Sequence, residues 1–338
     1  ADAGYYVDST GSDSQTECAV GTWQNQTNQT SCFEADIGFY VDTNASTVQL
    51  ECPTGGFTLN TGSTNESDCF YSEPGYYAAF SNGIYTQMPC SPGTYQPYYG
   101  QTSCIDADEG YYVDTNTSTI QTACNVGTYQ PNNGSDSCLI AEAGHYVDST
   151  GSDSQTECAL GTYQDDAGQS SCLDAEAGHY VDSTGSDSQT ECAVGTWQNQ
   201  TNQTSCFEAD TGYYVDSTGS DSQTECPVGT WQDSTGQSSC LDADAGHYVD
   251  STGSDSQTEC AVGTWQDDAG QSSCLDAEAG HYVDSTGSDS QTECALGTYQ
   301  SATAQTSCED AEPGHYVDST GSDSQTECGV GTYNLYFA

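Results

Sequence analysis

The residues best able to do covalent chemistry in this chain are its 19 cysteines, and their spacing is regular. Apart from small insertions near the start, intervals of 14 and 20 residues alternate, as at Cys124, Cys138, Cys158 and Cys172, so the period is 34. Thiols repeated in this way read as a disulfide framework formed in an oxidising compartment. The pairing is constrained by a second pattern. The segment CALGTYQDDAGQSSCLD (158–174) is followed by AEAGHYVDSTGSDSQTE (175–191), the same motif without its thiols. Ala175 stands where Cys158 would be and Gln189 where Cys172 would be. In every thiol-free copy Ala or Ser takes the first place, and the second is a glutamine: Gln15, Gln49, Gln87, Gln121, Gln155, Gln189, Gln223, Gln257, Gln291 and Gln325.

Two thiols present together and lost together are most simply bonded to each other. The expected disulfides are Cys18 with Cys32, Cys52 with Cys69, Cys90 with Cys104, Cys124 with Cys138, Cys158 with Cys172, Cys192 with Cys206, Cys226 with Cys240, Cys260 with Cys274, and Cys294 with Cys308. A competing scheme joins cysteines 20 apart, such as Cys32 and Cys52, and would staple successive units. Spacing alone leaves it open. Cys328 is left over, and the sequence, which opens on ADAG, reads as a processed or partial view of a longer product.

A different chemistry is written in the asparagines. N-x-[ST] sequons occur at Asn25, Asn28, Asn44, Asn65, Asn116, Asn133, Asn199 and Asn202, and acceptors of this kind belong on the surface loops of secreted proteins. NQTNQTS appears twice, placing paired sequons on one loop. Covalent N-glycans are therefore expected, and no cofactor is required. The loop DSTGSDSQTE (148–157) offers hard oxygen ligands of the kind calcium accepts, but lacks the D-x-[DN]-x-[DN]-G spacing of a calcium loop. Diffuse cation condensation is the first expectation and a specific calcium site the second; no metal ligand is assigned.

Catalysis has no foothold. His145, His179, His247, His281 and His315 share one place in the repeat, where Tyr5, Phe39, Tyr76, Tyr111 and Tyr213 stand elsewhere, so an aromatic surface role explains them. No unit departs from the pattern with a nucleophile and base of its own. The chain is read as a non-enzyme.

The elements that position these groups follow from the repeat itself. Ten units cover residues 1–34, 35–71, 72–106, 107–140, 141–174, 175–208, 209–242, 243–276, 277–310 and 311–338, the last truncated, in one continuous array. Within each, glycines recur every 17 residues, with an aromatic two positions on, so a unit is two related halves. GHYVD and GTYQ read as brief strands and DSTGSDS or DDAGQSS as turns. The expected fold is all-β, small and disulfide-rich: tandem short hairpins stacked into an elongated, solenoid-like rod. Only 33% of the 338 residues are hydrophobic, too few for one large core. Each G-x-aromatic pair marks a backbone position that a side chain would obstruct, beside a ring packing on the next module. The closing YNLYFA (333–338) breaks the repeat with an apolar tip suited to a subunit junction.

Charge narrows the partners. There are 51 acidic residues and no lysine or arginine. Nucleic acid is excluded, because phosphate binding depends on basic side chains, and an anionic membrane is excluded by the same sign argument. Self-association end to end or laterally is the partner expectation, favoured by salt that screens the carboxylates.

C-x-x-G-T-[YW]-Q followed by G-Q-[ST]-S-C, as at Cys158 to Cys172 and Cys260 to Cys274, resembles the ephrin-receptor-like cysteine-rich repeat and the first submodule of tumour-necrosis-factor-receptor-type repeats. The resemblance implies small hairpin modules with a local disulfide, set end to end in extracellular rods. Acidic tandem repeats rich in YVDSTGS are also similar to large surface proteins of marine archaea and protists. The expected function is an extracellular or cell-surface structural protein: a glycosylated, disulfide-stapled filament, stalk or sheath. The alternative is the stalk of an adhesin or receptor whose ligand-binding domain lies outside this sequence.

Overall fold

A strand of two residues cannot hold itself, and in this protein nearly every strand is that short. The computed structural model describes residues 1–81 and 84–333, so the closing NLYFA lies outside the described residues. Among them the secondary structure is nineteen two-stranded antiparallel sheets, each a hairpin joining neighbours in the chain. Helical structure among the described residues is a single 3-10 turn, Glu66–Asp68, capped by Asn65, and no helix is long and apolar enough to cross a membrane. The all-β, hairpin-repeat architecture expected from the sequence is what the chain adopts.

The register is the same in both kinds of half-unit. In the thiol-free half His247 pairs with Glu259 and Tyr248 with Thr258; in the cysteine half Thr264 pairs with Asp276 and Trp265 with Leu275. The chain divides into two compact units: Ala1–Cys158 with Gln164–Cys172, and Ala159–Tyr163 with the chain from Leu173 onward. The first holds the irregular second and third repeats, including the one long hairpin, Tyr76–Ser81 paired with Ile84–Pro89. The second is regular throughout its described residues.

Within each unit, successive hairpins of the regular repeats are joined by the same three backbone hydrogen bonds, whereas in the irregular second repeat the Gly38 N–H donates to the Thr58 hydroxyl. In the second, the Gly246 N–H donates to the Gln266 carbonyl (2.7 Å), the Val249 N–H to Gln271 (3.0 Å), and the Gly270 N–H back to Ala243 (2.8 Å). In the first, Gly110, Val113 and Gly134 donate in the same way to Gln130, Ser135 and Ala107. Loop backbone groups that would otherwise be unpaired are thereby satisfied. Isolated two-stranded hairpins are marginal in water, so these bonds make stacking a condition of folding.

The core is correspondingly thin. It consists of the residue that opens each half-unit, such as Cys226, Ala243, Cys260 and Ala277, all 0% exposed, and the residue after the aromatic, Val249 or Gln266. No aspartate or glutamate is among the buried residues described. The glycine that opens each hairpin explains how backbones come so close. Gly246 sits at φ +81°, its carbonyl accepts from the Cys260 N–H, and a Cβ on it would overlap the carbonyl oxygen of Gly287, two hairpins further on. The second glycine of the repeat differs. Gly253 also has positive φ (+67°), but a Cβ there would meet only the flexible Glu225 side chain at ordinary distance, and Asn28, Ala45, Thr117, Asn202 and Ala304 occupy its counterparts.

These two glycines should therefore respond differently to the same change. Gly246→Ala is expected to destabilise the array by more than the ~1–2 kcal/mol that a left-handed non-glycine residue costs by itself, because the Gly287 carbonyl must also be displaced. Gly253→Ala should cost about 1 kcal/mol, the conformational part alone. Denaturant unfolding of the two variants beside the parent checks the order; equal losses would refute the steric part.

Candidate functional site: stapled hairpins and their loops

Each cysteine half is closed by a disulfide across its own hairpin. The bonds run Cys18–Cys32, Cys52–Cys69, Cys90–Cys104, Cys124–Cys138, Cys158–Cys172, Cys192–Cys206, Cys226–Cys240, Cys260–Cys274 and Cys294–Cys308, with Cα atoms 5.7–5.9 Å apart. Cys328 is free and half-buried. Such a bond removes loop entropy from the unfolded chain, worth about 3 kcal/mol for a loop of ~15 residues.

The thiol-free halves are stapled too, by the glutamine that replaces the second cysteine. Gln257 Oε1 accepts the Asp244 N–H at 2.7 Å, and its Nε2 donates to the Asp244 carboxylate at 2.7 Å. Gln223 holds Asp210 identically, and in all ten thiol-free halves the amide oxygen takes the same backbone N–H. With Asp36, Asp108, Asp210 and Asp244 the Nε2 bond is 2.6–2.7 Å and with Asp2 it is 3.1 Å; with Glu142 and Glu176 it lengthens to 3.3–3.4 Å. The extra methylene places the carboxylate less well. The sequence located these glutamines but not their task, which depends on a backbone donor that no side-chain pattern displays.

A second glutamine braces the cysteine-half loop from inside. Gln266 is 4% exposed; its Nε2 donates to the Ser273 carbonyl (2.9 Å) and its Oε1 accepts the Asp268 N–H (3.2 Å). Gln24, Gln96, Gln130, Gln164, Gln198, Gln232 and Gln300 do the same. Thiol-free halves place valine there and link the loop instead by a serine pair, Ser251 and Ser254, whose hydroxyls lie 3.2 Å apart. This exchange of glutamine for valine in step with the thiols was visible in the sequence as a signal for two loop types.

In one cysteine half the aromatic reaches the next staple. The Gln325 amide donates to the Tyr299 hydroxyl at 3.4 Å. Desolvation, with Glu309 and Glu312 beside it, pushes that hydroxyl above the ordinary tyrosine value, and desolvation with Asp108 does the same to Tyr95. Trp23 and Trp197 instead tilt against the cross-strand Phe33 and Phe207, with ring centroids 5.8 and 5.7 Å apart.

All eight sequon asparagines are exposed in the hairpin loops. Asn65 is also a cap, its Oδ1 accepting the Ser67 N–H; Asp68 accepts from the Thr64 and Asn65 backbones, the first of these doing most to hold its carboxyl below the usual range. The histidines pair across the hairpin with glutamate, as His145 with Glu157, and Nδ1 of His145, His179, His247 and His281 lies 3.3–3.4 Å from the carbonyl two residues earlier. Among the described residues no three His, Cys, Asp or Glu side chains converge as a metal set.

These features coincide with a match to a family model. Residues 110–158, 144–192, 212–260 and 246–294 match the family described as tyrosine-protein kinase ephrin type A/B receptor-like. Every match starts on a hairpin-opening glycine (Gly110, Gly144, Gly212, Gly246), crosses a whole disulfide hairpin and ends on the first cysteine of the next cysteine half. Over these residues the protein carries cysteine-rich ephrin-receptor-like repeats, a disulfide-rich repeat type that is non-catalytic. No curated protein matches the chain.

Equivalence of the two staples gives a test. Gln257→Ala should lower stability by about 1–2 kcal/mol through two lost hydrogen bonds. The double change Ala243→Cys with Gln257→Cys should form a further disulfide and recover the loss. Non-reducing peptide mapping with denaturant unfolding reads both; free thiols at the two positions would show that the hairpins are not interchangeable.

Proposed function

We propose that this chain is an extracellular structural element, a glycosylated and disulfide-stapled repeat that forms a surface filament, stalk or sheath. The observation that carries this is the identity of the joint: in the regular repeats of each unit, successive hairpins are joined by the same backbone groups. Such an array can be lengthened without new chemistry and depends little on loop sequence. Nine disulfides fit an oxidising, extracellular setting, and the ephrin-receptor-like repeats support a receptor-like or stalk module. That likeness favours a second reading as well, the stalk of an adhesin or receptor whose ligand-binding domain lies outside this sequence. In either case the acidic loops condense cations diffusely, and copies of the chain associate with one another.

Sugars are part of the proposal. The outward loop asparagines carry N-glycans, with Asn202 the exception. Its Nδ2 donates to Asp174 at 2.9 Å, its backbone sits at φ +61°, and its Oδ1 and carbonyl press on Gly161. The amide that a glycan would occupy already holds two hairpins together, whereas Asn199 on the same loop is exposed.

Electron microscopy of native material separates the two readings. Uniform polymer with a repeating subunit is expected for the filament; single strands ending in a globular head would replace it with the stalk. Glycopeptide mapping should find Asn199 modified and Asn202 bare, and equal occupancy of the two would contradict the assigned role of Asn202.

A further inference from the structure

Most loops of this protein carry a carboxylate, and the stretches that do not are short with one exception. Residues 74–105 contain no aspartate or glutamate, the longest such run in a chain with 51 acids. The run coincides with the irregular part of the first unit, where the hairpin Tyr76–Ser81 with Ile84–Pro89 replaces the two-residue pairing found elsewhere. It holds six tyrosines, Phe80 and the only methionine, Met88.

An apolar groove opens beside this hairpin. It has a volume of about 320 Å³ and is lined by Phe57, Leu59, Phe70, Tyr71, Thr86 and Gln87, with Glu73 the one acid among its walls. The Tyr71 ring lies so close to Gly100 that a Cβ there would stand 2.8 Å from it, which joins the groove to the loop bearing Tyr98 and Tyr99. Leu59, Phe70, Tyr71, Tyr98 and Tyr99 are 44–68% exposed, and Phe80 and Met88, on opposite faces of the long hairpin, are 60% and 42% exposed. Exposed apolar faces of this extent mark interaction sites on soluble proteins.

We propose that this face is where two copies of the chain meet. Charge decides the occupant. Elsewhere on this protein an approaching copy brings carboxylates against carboxylates, with no lysine or arginine to pair them. A basic partner would be drawn to the acidic loops instead, leaving this face unused. Two-fold association sets the same patch of each copy against the other, so the neutral surface meets itself and the acids remain at the rim. Large aromatic side chains bury roughly 150–250 Å² each, so the half-exposed residues around the groove approach the ~800 Å² per partner that a standard interface takes. The inference deepens the self-association proposed above, and rests on it, by naming the surface.

Sedimentation velocity on the whole chain at about 150 mM NaCl, where exposed charges are screened beyond ~8 Å, tests it. The unmodified protein should dimerise with concentration. Tyr98→Asp with Tyr99→Asp, on an exposed loop and leaving the disulfides intact by peptide mapping, should weaken dimerisation at least tenfold. Ile140→Asp, at an exposed apolar position outside the neutral run, should leave it unchanged. A parent that stays monomeric at every concentration overturns both the interface and the self-association, including the case in which the face binds a neutral polysaccharide instead. A tyrosine variant that associates like the parent overturns this face alone and leaves another contact to carry the assembly.

Discussion

The structure depends on one close approach of backbone to backbone. At the opening glycine of each hairpin the N–H bonds forward to the next hairpin and the carbonyl closes its own, while in the interior of the array the bare Cα accepts a carbonyl from two hairpins ahead. No other residue can occupy such a position, because positive φ and the absent Cβ are both required. Stacking by backbone groups explains how a chain with so little apolar surface folds. Each hairpin contributes two or three small buried residues, and the hydrogen bonds between hairpins order the loops that a conventional core would have had to cover.

Against that frame the alternation of staples has a simple physical meaning. A disulfide acts mainly on the unfolded chain by closing a loop, while an amide that grips a backbone N–H and a neighbouring carboxylate acts in the folded state. The two devices occupy the same place in hairpins of the same register. Covalent closure of every second hairpin is sufficient because each thiol-free hairpin is bonded on both sides to closed ones. The buried glutamines of the cysteine halves belong to the same economy of design: both ends of the amide are used, so burial costs no unsatisfied group.

Electrostatics sets the remaining limits. With 51 acids and no lysine or arginine, the protein cannot use ion pairs between side chains other than those histidine could form, and its carboxylates instead receive hydrogen bonds from Gln, Thr and backbone donors. Thr235 donates to Glu208 and Thr252 to Glu225, each across two hairpins. A surface of one sign resists indiscriminate association. Under such a field the place where acids are missing becomes the place where contact is least opposed, and that place is also where the repeat is least regular.

Much of this was legible in the residues. The 17-residue step of glycines, the joint loss of thiols and the Ala-or-Ser and Gln that replace them fix the hairpin repeat and its two kinds of half-unit, because each is a local requirement repeated many times. The resemblance carried by C-x-x-G-T-[YW]-Q pointed to the ephrin-receptor-like repeat that the family comparison finds. What the sequence could not display were partners distant along the chain: that Gln257 grips the Asp244 N–H, that Asn202 reaches Asp174, that Gly246 lies against Gly287, or that Tyr71 touches Gly100. Composition and periodicity determine what each hairpin is, since they act within seventeen residues. Which hairpin touches which, and where an exposed aromatic face is left open, is decided only when the backbones stack, because backbone donors and acceptors carry no sequence signature of their own.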